Sequence, residues 1–457
     1  MQPLLWKNLS SRARTAALQR PALAARPQIA RTVARVIAAV QREGDVALRR
    51  FTRAFDGVTL RALRVTPDEF AAAEQSLARA DRAALRTAYR NLRRFHAAQR
   101  STPLRVETTP GILCEKISRP IERVGLYVPG GSAPLFSTAL MLGVPSQLAG
   151  CPRRVLCTPP GRDGRVSPWI LYAAQLCGVT EVFKVGGAQA IAALAFGTAT
   201  IPKCDKLFGP GNAFVTEAKQ QVARAPAGAA IDLPAGPSEV MVMADASADP
   251  EFVAADLLSQ AEHGPDSQVM LVAFSRACVA RVSLALSRQL AELPRRAVAS
   301  RALEQSRALL VSSITEAAEI ANRYAPEHLI LQVAEPRALL PKIATAGSVF
   351  LGAWTPESLG DYASGTNHVL PTYGWARSCS GLGLADFSRT MTVQAATPRG
   401  LRRLGPVVER LALAENLTAH QRAVSVRLAK LPSTDRSRSL SPNRSLEPEI
   451  MRTKPKR

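Results

Sequence analysis

Histidine is scarce in this chain, with five residues among 457. Four lie in the second half beside carboxylates or amides: His263 in Gln260-Ala-Glu-His263-Gly-Pro-Asp266, His328 in Ala325-Pro-Glu327-His328, His368 in Gly365-Thr-Asn-His368, and His420 in Leu417-Thr-Ala-His420. Neutral imidazole is both a common metal ligand and a base near neutral pH, so this placement marks them for chemistry. His96, on a basic helical stretch, reads as surface or core filler. The seven cysteines contain no C-x-x-C pair, which fits scattered, reduced thiols in a cytosol-like compartment. Residues 124–152 contain no charge, yet Pro129, Gly130, Gly131, Pro134, Gly143 and Pro145 interrupt them, so they form no helix of membrane-spanning length. Residues 231–270 contain no Lys or Arg and eight Asp and Glu, an acidic island suited to a bound cation.

Basic charge is concentrated at the start instead. Residues 1–105 hold 21 Lys and Arg against 7 Asp and Glu. These arginines lie among alanines at helical spacing, without aromatic interleaving or an Arg/Gly tract, so nucleic-acid binding is not required to explain them. Residues 1–42 have eight basic residues and no acid, the composition of a transit peptide or of an Arg-rich helical start to the mature fold.

Apolar spacing predicts helices over Ile29–Val40 and Asp68–Gln99. From Arg123 the pattern changes to short apolar runs, each followed by a Gly/Pro turn and a helix. These runs begin at Val124, Arg154, Glu181 and Lys206, with further strands at Val240–Met243, Val269–Phe274, Leu329–Gln332 and Val349–Leu351. The alternation predicts an α/β fold of parallel βαβ units. The Ser/Pro/Arg-rich tail, residues 431–457, is expected to be disordered.

Glycines at Gly130-Gly131, Gly186-Gly187 and Gly209-Pro-Gly211-Asn212 follow strands, where main-chain N–H groups can face phosphate oxygens. None fits G-x-G-x-x-G, so a nucleotide site and plain turn chemistry remain equal readings. Asp249-Pro250-Glu251 is a helix start, and Gln260 and His263, three apart, are neighbours in its last turn. Alone, this pair reads more readily as a satisfied polar edge than as a metal site. Glu327-His328 lies at a strand entry and alone reads as a capping pair. Asp361 lies in a long polar loop after a strand, of the kind that often carries function.

These pieces together resemble the histidinol dehydrogenase family. The carrying motifs are Ile231-Asp-Leu-Pro-Ala-Gly-Pro-Ser238-Glu-Val, Ser259-Gln260-Ala-Glu-His263-Gly-Pro-Asp, Arg323-Tyr-Ala-Pro-Glu327-His328-Leu, Ser358-Leu-Gly-Asp361-Tyr-Ala-Ser-Gly-Thr-Asn-His368-Val-Leu-Pro-Thr and Leu417-Thr-Ala-His420. The similarity runs over about residues 4–428, including Leu18-Gln-Arg-Pro, Arg42-Glu-Gly-Asp45 and Phe55-Asp-Gly, which favours the basic N-terminus as mature fold.

The resemblance implies two Rossmann-like parallel-sheet domains with helical N- and C-terminal extensions used in dimerisation. Residues 1–126 with 238–385 would carry most of the zinc and catalytic site, 127–237 the NAD turns, and 386–430 a helical dimerisation segment. It implies zinc on Gln260, His263, Asp361 and His420, and NAD against Tyr127, Gln189 and Asn212. Substrate would be met by Ser238, Glu415, His328 and the metal ligands. His328 would serve as general base, while Glu327 activates the water that hydrates an aldehyde. It also implies a cytoplasmic homodimer in which the segment bearing Glu415 and His420 reaches the partner's site, acting on L-histidinol. Asn416 departs from the family's usual glycine, and the tail beyond Leu428 has no family counterpart. Two other readings stand beside it: a zinc-dependent hydrolase of a small imidazole-containing substrate that uses the same metal ligands, and a basic protein that binds nucleic acid through its N-terminal helices and tail.

Overall fold

The computed structural model describes residues 2–20, 26–130, 135–233 and 236–432. The tail from 433 onward, Gly131 and Pro134 of the first glycine turn, and Pro234-Ala235 before Ser238 lie outside the described residues. The chain divides into two compact units, residues 1–102 with 118–390, and 103–117 with 391 onward. The strands in chain order are β1 (Pro3–Leu5), β2 (Leu104–Thr109), β3 (Ile112–Pro120), β4 (Arg123–Tyr127), β5 (Arg153–Thr158), β6 (Glu181–Lys184), β7 (Lys206–Phe208), β8 (Ala230–Ile231), β9 (Glu239–Ala244), β10 (Gln268–Ala273), β11 (Arg307–Leu310), β12 (His328–Gln332), β13 (Ser348–Leu351) and β14 (Ser388–Ala396).

The first unit holds two parallel sheets, ordered β6-β5-β4-β7-β8 and β1-β11-β10-β9-β12-β13. Counted from β4 and from β9, each follows the order 3-2-1-4-5 of a doubly wound dinucleotide-binding sheet, with β1 added at one edge of the second. The expected pair of Rossmann-like sheets is therefore present. Every residue of β9, β10 and β12 is buried, because helices cover both faces of a parallel sheet; hence these strands read as continuous apolar runs. Each such Val, Leu or Met contributes about 1.5–3 kcal/mol relative to exposure.

The N-terminal helices within residues 26–97 pack on the five-stranded sheet. Val33, Val40 and Leu48 share a core with Val155 and Phe183 on one side. Leu85 and Leu92 share another with Val124, Leu126 and Leu156. The resemblance grouped residues 1–126 with the later sheet; β1, Trp6 and Ala17 do lie with it, and the longer helices do not. An apolar stripe reveals that a helix is covered, not by what. The predicted helix Asp68–Gln99 is two helices, Pro67–Ser76 and Arg79–Ala97, broken where Leu77 turns into the core at 6% exposure.

The second unit, expected to be helical, also contains strand: its sheet has the order β14-β3-β2, with β2 and β3 antiparallel. Helices Pro398–Ala414 and Thr418–Leu428 follow within the segment expected to be helical. Asn416 breaks them in the left-handed region at φ 59. The Leu417 N–H donates to the Ala412 carbonyl at 2.8 Å and the Asn416 N–H to Leu413 at 3.0 Å, a Schellman cap. Asparagine tolerates this conformation better than most residues, so the break survives without glycine. Glu415 and His420 flank it, both exposed.

Candidate active site

The two sheets of the first unit use opposite edges. Tyr127, Gly187 and Asn212 follow β4, β6 and β7, at the carboxyl ends of the five-stranded sheet, where such folds bind ligands beside the switch in strand order. Glu239 opens β9 and Glu327-His328 open β12, at the amino ends of the six-stranded sheet. The chain crosses from one edge to the other between β8 and β9. A cleft of about 620 Å³ joins them, lined by Pro210 and Asn212 from one side and Ser238, His263 and Tyr373 from the other.

The turns on the cofactor side depend on close main-chain approach. A Cβ on Gly209 (φ 124) would lie 2.1 Å from the Tyr127 carbonyl oxygen. Buried Lys219 donates to the Gly209 carbonyl at 2.8 Å and pairs with Asp232, whose carboxylate accepts the Gly209 N–H at 2.7 Å. This ties the turn to the segment entering Ser238. Asn212 caps helix Ala213–Arg224 by accepting from Phe214 and Val215 N–H, both at 3.1 Å, and lies exposed in the cleft. Tyr127 and Gln189 are 4% and 1% exposed. The Tyr127 hydroxyl accepts the Gly187 N–H at 3.0 Å, and burial pushes its pKa up to about 12, so it remains a phenol. Gln189 Oε1 is buried without a hydrogen-bond partner. An orphaned acceptor in the first turn of helix Gly187–Phe196 calls for a donor, which a hydroxyl of a dinucleotide's ribose can supply.

On the opposite edge, helix Ile314–Tyr324 ends at Ala325 in the left-handed region (φ 53), and Pro326 turns the chain into β12. This irregular entry lets neighbouring residues act together, which a regular strand would prevent. The main chain of one residue organises them. The Glu239 N–H donates to Glu327 Oε2 at 2.9 Å, and the Glu239 carbonyl lies 3.2 Å from His328 Nδ1. That carbonyl keeps a proton on Nδ1 and leaves Nε2 3.4 Å from Asp361 Oδ1, without hydrogen-bond geometry. Burial pushes the Glu327 carboxyl up to about 8 against the pull of His328. Burial lowers His328, but Glu327 and Asp361 outweigh it and raise the imidazole to about 10. Burial raises Asp361, yet His328 outweighs burial and holds that carboxylate below its usual range.

Helix Pro250–Ala261 begins as predicted, with Asp249 accepting the Glu251 N–H at 2.8 Å, but it ends two residues before His263, which lies in the following turn. Gln260 is buried at 1%. His263 is exposed at the cleft, yet desolvation around its ring outweighs Asp361 and lowers its pKa, leaving the neutral form that binds metals. Neutral imidazole, carboxylate and amide oxygen suit a borderline divalent cation such as zinc. Among the described residues no group of three His, Cys, Asp or Glu side chains forms a metal cluster. The remaining proposed ligand, His420, belongs to the second unit.

His368, Ser238 and Glu327 line a cavity of about 40 Å³, and His368 Nε2 lies 3.1 Å from Ser137 Oγ. His96 is wholly buried, its Nδ1 3.2 Å from Gln99 Oε1, so it is core. Three participants escaped the sequence reading: Glu357, Glu239 and Arg20. Glu357 carried a signal, since it precedes Asp361 by one helical turn.

A family model described as histidinol dehydrogenase matches residues 18–428. A histidinol dehydrogenase of Xanthomonas campestris pv. campestris is 59% identical over 428 residues, 94% of this chain and 99% of that protein. One from Vibrio parahaemolyticus is 54% identical over 431 residues, 94% of this chain and 99% of the relative. The chain spans only 52% of a putative histidine biosynthesis bifunctional protein of Photorhabdus laumondii, at 54% identity. The crystal structure of histidinol dehydrogenase from Elizabethkingia anophelis matches at TM-score 0.90 and 48% identity, covering 94% of this chain and 98% of that one. Similar in sequence over nearly its whole length and in fold throughout, the chain belongs to the histidinol dehydrogenase family.

Proposed function

We propose that Glu327 and His328, with the ligand set around His263, carry the oxidation of L-histidinol through L-histidinaldehyde to L-histidine, the last two steps of histidine biosynthesis. As a histidinol dehydrogenase the chain is an NAD-dependent oxidoreductase that uses zinc. Alcohol to acid is a four-electron change, so two hydrides pass to two NAD⁺ and one water is consumed.

The carrying observation is the main chain of Glu239, whose N–H and carbonyl hold the two side chains. His328 Nδ1–H is committed to the Glu239 carbonyl, so Nε2 of the neutral ring, a form that grows as the pH rises towards about 10, takes the hydroxyl proton as hydride leaves the carbon in each oxidation. Glu327 has one oxygen held by the Glu239 N–H, leaving the other to take a proton from the water that adds to the aldehyde. Its raised pKa suits a base working near neutrality. Gln260, His263 and Asp361 would hold zinc together with the partner subunit's His420. Bound zinc supplies a fixed positive anchor for the substrate's imidazole and amino group, an advantage of proximity. Ser238 and the partner subunit's Glu415 would contact substrate; Tyr127, Gln189 and Asn212 would contact NAD.

Exposed Val407 and Leu411 on helix Pro398–Ala414, at 50% and 61%, support a homodimer with shared sites. The unpaired cysteines support a cytoplasmic location. The test is NADH yield from histidinol. Two NADH per substrate is expected, and no absorbance change would overturn the reading.

A further inference from the structure

We propose that Glu357 is a positioning residue that holds Gln260 in the one orientation in which its amide can bind a metal. A carboxamide binds cations through oxygen, because its nitrogen lone pair is delocalised into the carbonyl. Gln260 must therefore be held against a 180° flip that would present nitrogen. Its two ends have different neighbours. The main-chain N–H of Glu239 can only donate and lies 3.3 Å from one end; the Glu357 carboxylate lies 2.9 and 3.2 Å from the other. Oxygen therefore faces Glu239 and nitrogen donates to Glu357.

The Glu239 N–H already donates to Glu327 at 2.9 Å, so it grips the amide oxygen only weakly and leaves that oxygen a lone pair. Glu357 then supplies most of the orientation in its ionised form, which burial delays by pushing the carboxyl up to about 8. Its own placement is firm: it is fully buried and accepts from Ser259 Oγ at 2.7 Å. Helix Glu357–Tyr362 puts Glu357 and Asp361 four residues apart on one face. One helical turn thus supplies both a ligand and the group that orients its neighbour. Outer-shell partners of this kind orient metal ligands in many proteins, and losing one typically weakens metal binding about 10–100-fold.

The inference rests on Gln260 being a ligand, and the experiment separates the two ideas. Zinc affinity of the full-length enzyme is measured by competition with a chromogenic chelator, with circular dichroism confirming the fold. Gln260→Ala should lose affinity; if it does not, the ligand assignment fails and the proposal with it. Glu357→Gln keeps the volume but can donate as well as accept, so it permits the flipped amide and should weaken zinc binding about 10–100-fold. Unchanged affinity overturns the proposal. The decisive arm is Gln260→Glu combined with Glu357→Gln. A carboxylate at 260 has two equivalent oxygens and no wrong orientation, so the double variant should recover zinc affinity above Glu357→Gln alone. A double variant as weak as Glu357→Gln would mean that Glu357 acts by charge or packing, and overturns the orienting role.

Discussion

Arg20 is neither a proposed ligand nor a proposed catalytic group, yet its removal should damage both stability and catalysis. Its guanidinium donates to both Glu239 carboxylate oxygens, at 2.5 and 2.8 Å, and to the carbonyls of Tyr324 and Ala325, at 2.8 and 3.3 Å. It also lies over the Tyr324 ring, 4.0 Å from the centroid. The Glu239 side chain is 1% exposed and that of Arg20 12%, so Arg20→Ala strands a buried carboxylate. Breaking such a pair costs about 3–5 kcal/mol. The Tyr324 hydroxyl and the Tyr373 N–H remain within 3.0 and 3.1 Å of that carboxylate, which points to the lower end, about 3 kcal/mol. Spread over a unit of about 375 residues with an unfolding entropy of about 2.1 cal/mol/K each, that lowers the melting temperature by about 4 °C. Glu239→Gln should cost less, since the freed guanidinium can reach water. The double variant should melt above Arg20→Ala, because nothing charged is then stranded. Arg20 also ties down the turn from which Glu327 and His328 project, and a displacement of about 1 Å costs on the order of 10²-fold in rate. Thermal melts and steady-state NADH production on the three variants test this together. A melting temperature for Arg20→Ala within 1 °C of the parent, or purely additive losses in the double variant, would refute the reasoning.

Three further outcomes are expected. Asn416→Ala should destabilise the second unit by about 1 kcal/mol and Asn416→Gly should not, because only alanine pays the left-handed penalty; equal melts would remove the cap argument. Glu327→Gln should slow histidinaldehyde oxidation more than histidinol oxidation, whereas His328→Asn should slow both; stopped-flow measurement of each half-reaction decides, and equal losses in Glu327→Gln would erase the distinction. Co-refolding inactive His328→Ala with inactive His420→Ala should restore roughly a quarter of parental activity, since random mixing gives about half mixed dimers with one intact site each. No recovery, with mixed dimers demonstrated by differential tags, would mean that His420 serves its own chain.

What the sequence revealed depended on how local the cause was. The Asp249 cap is legible because donor and acceptor are two residues apart, and the β9, β10 and β12 runs are legible because burial on both faces removes polar alternation. The break at Leu77 was hidden because neither glycine nor proline marks it and the apolar spacing continues across it. Strands β2 and β14 were missed because they are mostly exposed, so burial imposes no pattern on them. Of the site, the residues with unusual side chains or motif neighbours could be found. Arg20 could not be connected to Glu239, 219 positions away, nor Ser259 to Glu357, 98 away, because only the fold brings them together.

The opposed use of the two sheets frees one rim of the protein. The carboxyl ends of β9, β10 and β12, where a sheet of this topology ordinarily takes its ligand, carry none of the proposed site residues. Asp245 closes that rim on itself, accepting from the Ser247 and Ala334 N–H groups at 2.8 and 2.9 Å. A graft made there, such as a fluorescent tag on a cysteine introduced at exposed Ala246, would stand on the far side of the sheet from the chemistry. The rim is thus a natural anchoring point for reporting on the enzyme or immobilising it without obstructing its cleft.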